Sequence, residues 1–143
     1  MPQNQKSKPR RNQYQCAIEV NKNGKYCVRL QVLYARRDWR LSVYFLASSF
    51  DRAIKKLDQT LQLLQRDEER LWFWGVDRTD DPHLAEELLG EMGLRRDRRA
   101  DFPRKCAVLS VPPERPVPAF QLAGVRRALA EAVAGTRAAV ASD

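Results

Sequence analysis

Between Tyr14 and Phe45 apolar residues fall on every second position. Only an extended strand, whose side chains alternate between faces, turns that period into one buried surface. Tyr14, Cys16, Ile18 and Val20 alternate with Gln15, Ala17 and Glu19. Asn21-Lys22-Asn23-Gly24-Lys25 follows, and Asn-Gly supplies the positive φ angles of a tight hairpin. The pattern resumes with Tyr26, Val28, Leu30, Val32 and Tyr34 on one side and Cys27, Arg29, Gln31 and Leu33 on the other. A second turn at Arg36-Arg37-Asp38 leads to Trp39, Leu41, Val43 and Phe45. A three-stranded antiparallel meander is the expected reading.

The period then changes. Ser48-Ser49-Phe50-Asp51 approximates a capping box, and Phe50, Ala53, Ile54, Leu57, Leu61 and Leu64 lie at helical spacing. Leu71 to Val76 is apolar on both faces, which predicts a central strand. Asp80-Asp81-Pro82 opens a second helix with the stripe Leu84, Leu88, Leu89 and Met92, and Gly93 stands at the C-cap position. Residues 95–105 read as a basic loop and Cys106 to Val111 as a short strand. A proline-rich connector, Pro112 to Pro118, precedes a last helix over about 119–134 with Phe120, Leu122, Val125, Leu129 and Val133 on its apolar side.

The expected order is thus meander, then α-β-α-β-α. That is an α/β (or α+β) fold with a mixed five-stranded sheet, helices packed on it and right-handed crossovers. It divides into a flexible basic arm (residues 1–13), a single domain (14–134) and a frayed tail (135–143). This order is similar to that of ribonuclease H-like folds over residues 14–134, and the opening βββα also resembles small RNA-binding modules. The ribonuclease H-like resemblance implies carboxylates clustered around two metals. Glu19, Asp51 or Asp58, Asp77 and Glu131 stand at the corresponding elements.

Composition narrows the partners. A formal charge of +8, from 26 Lys+Arg against 18 Asp+Glu, favours anions. Cys16, Cys27 and Cys106 are too few and too scattered for a disulfide framework, and with His83 as the one histidine a structural zinc is not expected. Gly24, Gly75, Gly90 and Gly93 match no phosphate-cradling motif, so no cofactor is expected. The polar start lacks an apolar signal segment, no run is long enough to span a bilayer, and a cytoplasmic setting is the default.

Basic groups concentrate in three places. The arm carries Lys6, Lys8, Arg10 and Arg11; the meander and its turn carry Arg29, Arg36, Arg37 and Arg40 beside Tyr44; the loop carries Arg95, Arg96, Arg98 and Arg99. Arginines grip phosphates and aromatics stack bases, so these residues are the candidate nucleic-acid contacts, with no catalytic or metal residues assigned. The expected activity is non-enzymatic binding of RNA or single-stranded DNA, mainly through phosphates. The alternatives are a protein-interaction subunit, using a Trp72/Trp74 strand or the last helix, and a metal-dependent nuclease.

Overall fold

The computed structural model describes residues 10–73, 82–99, 101–117 and 119–141. The meander forms as three nine-residue strands, β1 (Asn12–Val20), β2 (Tyr26–Tyr34) and β3 (Trp39–Ala47). Its first turn is held by the Asn21 side-chain oxygen, which accepts from the Asn23 and Lys25 amides at 3.0 and 2.8 Å. Gly24 sits there at φ +77°. In the second turn Asp38 takes φ +48°, a conformation that aspartate tolerates better than most residues.

The first helix, α1 (Phe50–Arg66), starts where the Ser49 hydroxyl accepts from the Arg52 amide at 3.2 Å. Its stripe of Ala53, Leu57, Leu61 and Leu64 is buried. After it come α2 (Glu68–Trp72), α3 (Pro82–Glu91), β4 (Arg95–Arg96), β5 (Ala107–Val111) and α4 (Ala119–Ala141). Gly93, at φ +73°, ends α3 as expected, with the Leu94 amide donating back to the Leu89 carbonyl at 2.8 Å.

The sheet runs β4-β3-β2-β1-β5. On one face α1 packs against β2 and β3, and α4 against β1 and β5. Tyr14, Cys16, Val28, Leu30, Val32, Tyr34 and Val43 point into that core, each at most 1 % exposed, and meet Leu61, Leu64 and Leu129 from the helices. Among the described residues no helix is long and apolar enough to cross a membrane.

Several expectations are corrected. Among the described residues all four strand pairings are antiparallel, so the five-stranded sheet there is that of an α+β fold and not a mixed one. The cause lies at the expected strand 71–76. Leu71 and Trp72 belong to α2, and Trp74 to Val76 lie outside the described residues. Leu71 is buried and Trp72 meets Trp39 edge-on, with centroids 5.5 Å apart, which suits one helical turn on the core rim. Among the described residues no strand stands between α1 and α3, so the element order that carried the ribonuclease H-like resemblance is not seen there. The arm is shorter than 1–13, because Asn12 is buried in β1 and its Oδ1 accepts from the Ala35 amide at 2.9 Å. The last helix runs to Ala141 instead of fraying from 135. The helix start at Asp80-Asp81 lies outside the described residues.

Candidate nucleic-acid interface

The face of the sheet opposite the helices is built from the alternate positions of each strand, and the register arranges them in rows. One row holds Ser110, Gln13, Leu33 and Arg40; the next holds Val108, Gln15, Gln31 and Ser42. A third row holds Ala17, Arg29, Tyr44 and Arg95, and a fourth Glu19, Cys27 and Leu46. The first two rows are open, with Gln13, Arg40 and Val108 exposed. The Gln31 amide donates to the Ser42 hydroxyl at 3.1 Å, and the Arg11 guanidinium caps one corner by donating to the Ser110 hydroxyl and carbonyl at 3.1 and 3.0 Å.

The lower two rows are covered. From β4 on one edge to β5 on the other the chain must traverse four strand spacings, about 19 Å, and ten extended residues reach up to about 33 Å. The described residues of that crossing, 97–99 and 101–106, form a strap over the outer face, with Asp97, Asp101 and Phe102 against Arg29. Asp97 is its anchor. The Asp97 carboxylate accepts from Arg29 Nε at 2.6 Å, and from the Arg99 amide and Arg99 Nε, both at 3.1 Å. Glu19 accepts from the same two guanidiniums, at 3.3 Å from Arg29 and 3.2 Å from Arg99. Arg29 also donates to the Asp101 carbonyl, and its guanidinium lies 5.2 Å from the centre of the Phe102 ring. Arg99 lies over Tyr44 at 6.0 Å.

The result is a closed ring of two carboxylates and two guanidiniums. Arg29 is only 4 % exposed and Asp97 only 7 %. Burial alone would raise the Asp97 carboxyl, but the hydrogen bonds from Arg29 and Arg99 outweigh it and hold the group below the usual carboxylate range. Burial opposes the Arg99 charge, and Asp97 more than restores it, so the guanidinium is held above its ordinary value. Cys27, beside Arg99 at 3.9 Å, is raised chiefly by burial.

The structure separates the sequence candidates. Arg29 and Arg99 are engaged by Asp97 and Glu19. Arg96 and Arg98 both reach Glu86 of α3, at 3.5 and 3.4 Å. Arg36 pairs with Glu114 at 3.4 Å, and Arg37 with buried Glu68 at 3.2 Å while lying 5.2 Å over Trp72. Arg10 donates to the Ala35 carbonyl at 3.2 Å. Tyr44 is half-buried beneath Arg99, so it presents no free ring for stacking. Arg40 and Arg95 are exposed and carry no ion pair among the described residues, while Lys6 and Lys8 lie outside them. Of the arginines at 95–99, Arg96, Arg98 and Arg99 are thus paired with Glu86, Glu19 and Asp97, of which only Asp97 belongs to the loop. The pairing of Arg29 and Arg99 with Glu19 across the strap, and Gln13 and Gln15 on the open rows, are what sequence reasoning missed. The two aspartates inside the arginine run were the available signal.

Among the described residues the carboxylates of the nuclease alternative do not gather into one site, although Glu19 and Glu131 line one pocket. Glu19 lies on the outer face bound to two arginines, whereas Asp51 and Asp58 lie on α1 across the sheet, Asp51 within 3.7 Å of Arg126. Asp77 lies outside the described residues, and among those described no three metal-ligating side chains gather. Of the Trp72/Trp74 pair of the interaction alternative, Trp72 lies in α2 and packs on Trp39, and Trp74 lies outside the described residues. Searches of protein-family models, curated proteins and solved structures return no match to this chain.

Proposed function

We propose that this chain binds single-stranded nucleic acid, RNA or DNA, on the open half of its outer sheet face, without catalysing a reaction. One observation carries the reading. Of the outward side chains in the two open rows none is an acid, although the chain has 18 acids, and five are amides or hydroxyls. Amides offer donor and acceptor together and suit the exposed edges of unpaired bases. Leu33 and Val108 give apolar seats for base faces, and Arg11, Arg40 and Arg95 stand around the patch for phosphates. The two rows span about 14 Å by 7 Å, room for two or three nucleotides. A flat face has no ridge to enter a duplex groove, which favours single strands.

Fluorescence anisotropy with labelled decauridine, deca-thymidine and a ten-base-pair duplex, across 50 to 300 mM salt, tests this. Single strands should bind better than duplex, with an affinity that falls as salt rises. Arg40→Ser with Arg95→Ser should flatten the log–log slope by about 1.4, at about 0.7 per lost phosphate on a single strand. Binding that ignores salt, or a double variant that behaves as wild type, refutes the proposal.

A further inference from the structure

The cover over the fourth row stops short of Leu46. We propose that this corner is a nucleotide subsite, in which Leu46 seats a base and Arg95 holds the phosphate beside it; the inference rests on the nucleic-acid reading and gives the bound strand a direction. Strand β4 is only two residues long and pairs with Tyr44 and Val43, so β3 runs on beyond it to Ala47. Beside that stretch lies a groove of about 1310 Å³, bordered at the end of α3 by Gly90 and Gly93, which have no side chains to fill it. Leu46 faces the groove at 47 % exposure, one of three large apolar side chains so open among the described residues. Covering it with an apolar ring surface is favourable. Arg95 and Arg98 line the same groove, both exposed. Arg95 has no ion pair among the described residues, and Arg98 touches only the rim acid Glu86, at 3.4 Å. Asn21 lines it too. Its Oδ1 accepts from the Asn23 and Lys25 amides, which fixes the side-chain amide and leaves its N–H groups as donors. The two carboxylates of the lining, Glu19 and Glu86, are each held by two arginines, so neither meets an incoming phosphate as a free charge.

An apolar seat, a cationic rim and a fixed amide donor match the three surfaces of a nucleotide: ring face, phosphate and base edge. The groove also lies in line with the open rows. Arg40, Ser42, Tyr44 and Leu46 point outward in turn along β3, about 7 Å apart, and Arg95 stands beside Tyr44. Each step is close to one nucleotide of an extended strand. The single strand is thus led along β3, with phosphates on Arg40 and Arg95 about 14 Å apart and the next base on Leu46. The planar guanidinium of Arg98 is free to stack on the other face of that base.

Isotope-labelled full-length protein, titrated separately with uridine 5′-monophosphate, uridine and inorganic phosphate, reads the subsite by NMR without the open rows. The monophosphate should shift the Leu46 methyl and Asn21 side-chain amide signals saturably. Uridine should do so several-fold more weakly, and phosphate alone should leave the Leu46 methyls in place. Decauridine then links the subsite to the face. Leu46→Ser should weaken its binding about fivefold, and Leu46→Phe should tighten it about threefold, a gain that a folding defect does not produce. Leu46 methyls that move with neither the monophosphate nor decauridine overturn the subsite, as does phosphate alone moving them as far as the monophosphate. Decauridine that needs Arg40 but binds wild type, Leu46→Ser and Leu46→Phe equally removes the subsite and leaves the face. A saturable monophosphate shift, with decauridine sensitive to Leu46 and indifferent to Arg40→Ser, supports the subsite and removes the open rows.

Discussion

Replacing Arg29 with methionine tests whether the ring beneath the strap stabilises the fold. Methionine preserves most of the alkyl stem and deletes the guanidinium, which is only 4 % exposed. The lost bonds run to Asp97, Glu19 and the Asp101 carbonyl. Removing one partner of a buried ion pair costs about 3–5 kcal/mol, because the other charge stays buried. Here Asp97 keeps two bonds from Arg99, and Glu19 is open enough to turn to water, so the low end applies, about 3 kcal/mol. With a urea m-value of about 2 kcal/mol/M, the unfolding midpoint should fall by about 1.5 M. The melting temperature should fall by roughly 6–12 °C. Adding Asp97→Leu to Arg29→Met removes the stranded carboxylate and should recover about 1–2 kcal/mol, an interaction measurable as a double-mutant cycle. An Arg29→Met protein that unfolds within about 0.5 kcal/mol of wild type refutes the idea that this ring is a buried electrostatic anchor.

Other outcomes follow from the same geometry. Asp97, whose folded-state carboxyl is depressed, binds its proton less readily folded than unfolded, so its contribution is present above about pH 4 and lost as pH falls through the lower folded value. Urea unfolding of Asp97→Asn should accordingly lose less stability than wild type between pH 4 and pH 2, and parallel curves would contradict this. Arg96→Ser with Arg98→Ser should cost under about 1 kcal/mol, since the two share one half-exposed carboxylate, Glu86, that can turn to water; a larger fall in the thermal midpoint would show a cooperative network. Asn12→Ala should destabilise by about 1–3 kcal/mol in chemical denaturation, because the buried Ala35 amide loses its acceptor, and a neutral result would mean water replaces it. Gly93→Ala should cost about 1 kcal/mol or more in the same assay, since φ is +73° and the new Cβ would stand 2.7 Å from Lys56 Nζ.

The parts of this fold that the sequence makes legible are those written in local chemistry. Alternation sets the three strands and their buried faces, Asn21 to Gly24 sets the first turn, and Ser49 sets the start of α1. The residues at 71–73 misread because Trp and Phe favour strands in isolation, while the core rim rewards a helical turn that buries Leu71 and lays Trp72 on Trp39. Arg29 misreads for a deeper reason. It occupies the polar phase of its strand, and no local pattern shows that a chain segment 68 residues further on will cover it. The same blindness made the run at 95–99 look like free positive charge. Its neutralising acids come from β1, α3 and the strap.

The strand order also dictates how the chain assembles in time. β1, β2 and β3 pair with their sequence neighbours, so the hairpins close loops of only a few residues. β5 must find β1, joining Cys16 to Ala107 across roughly ninety residues. Such non-local pairing carries the largest entropic cost of closure and is slow to form. Strand β1 is thus among the first to gain one neighbour and among the last to gain the other. Until β5 docks, its outer edge stays open with a full row of unpaired amides and carbonyls, the template on which intermolecular strand pairing begins. During synthesis the first hundred residues emerge before that edge is sealed. Substitutions that slow β5 docking should therefore raise aggregation during refolding more than their effect on final stability accounts for.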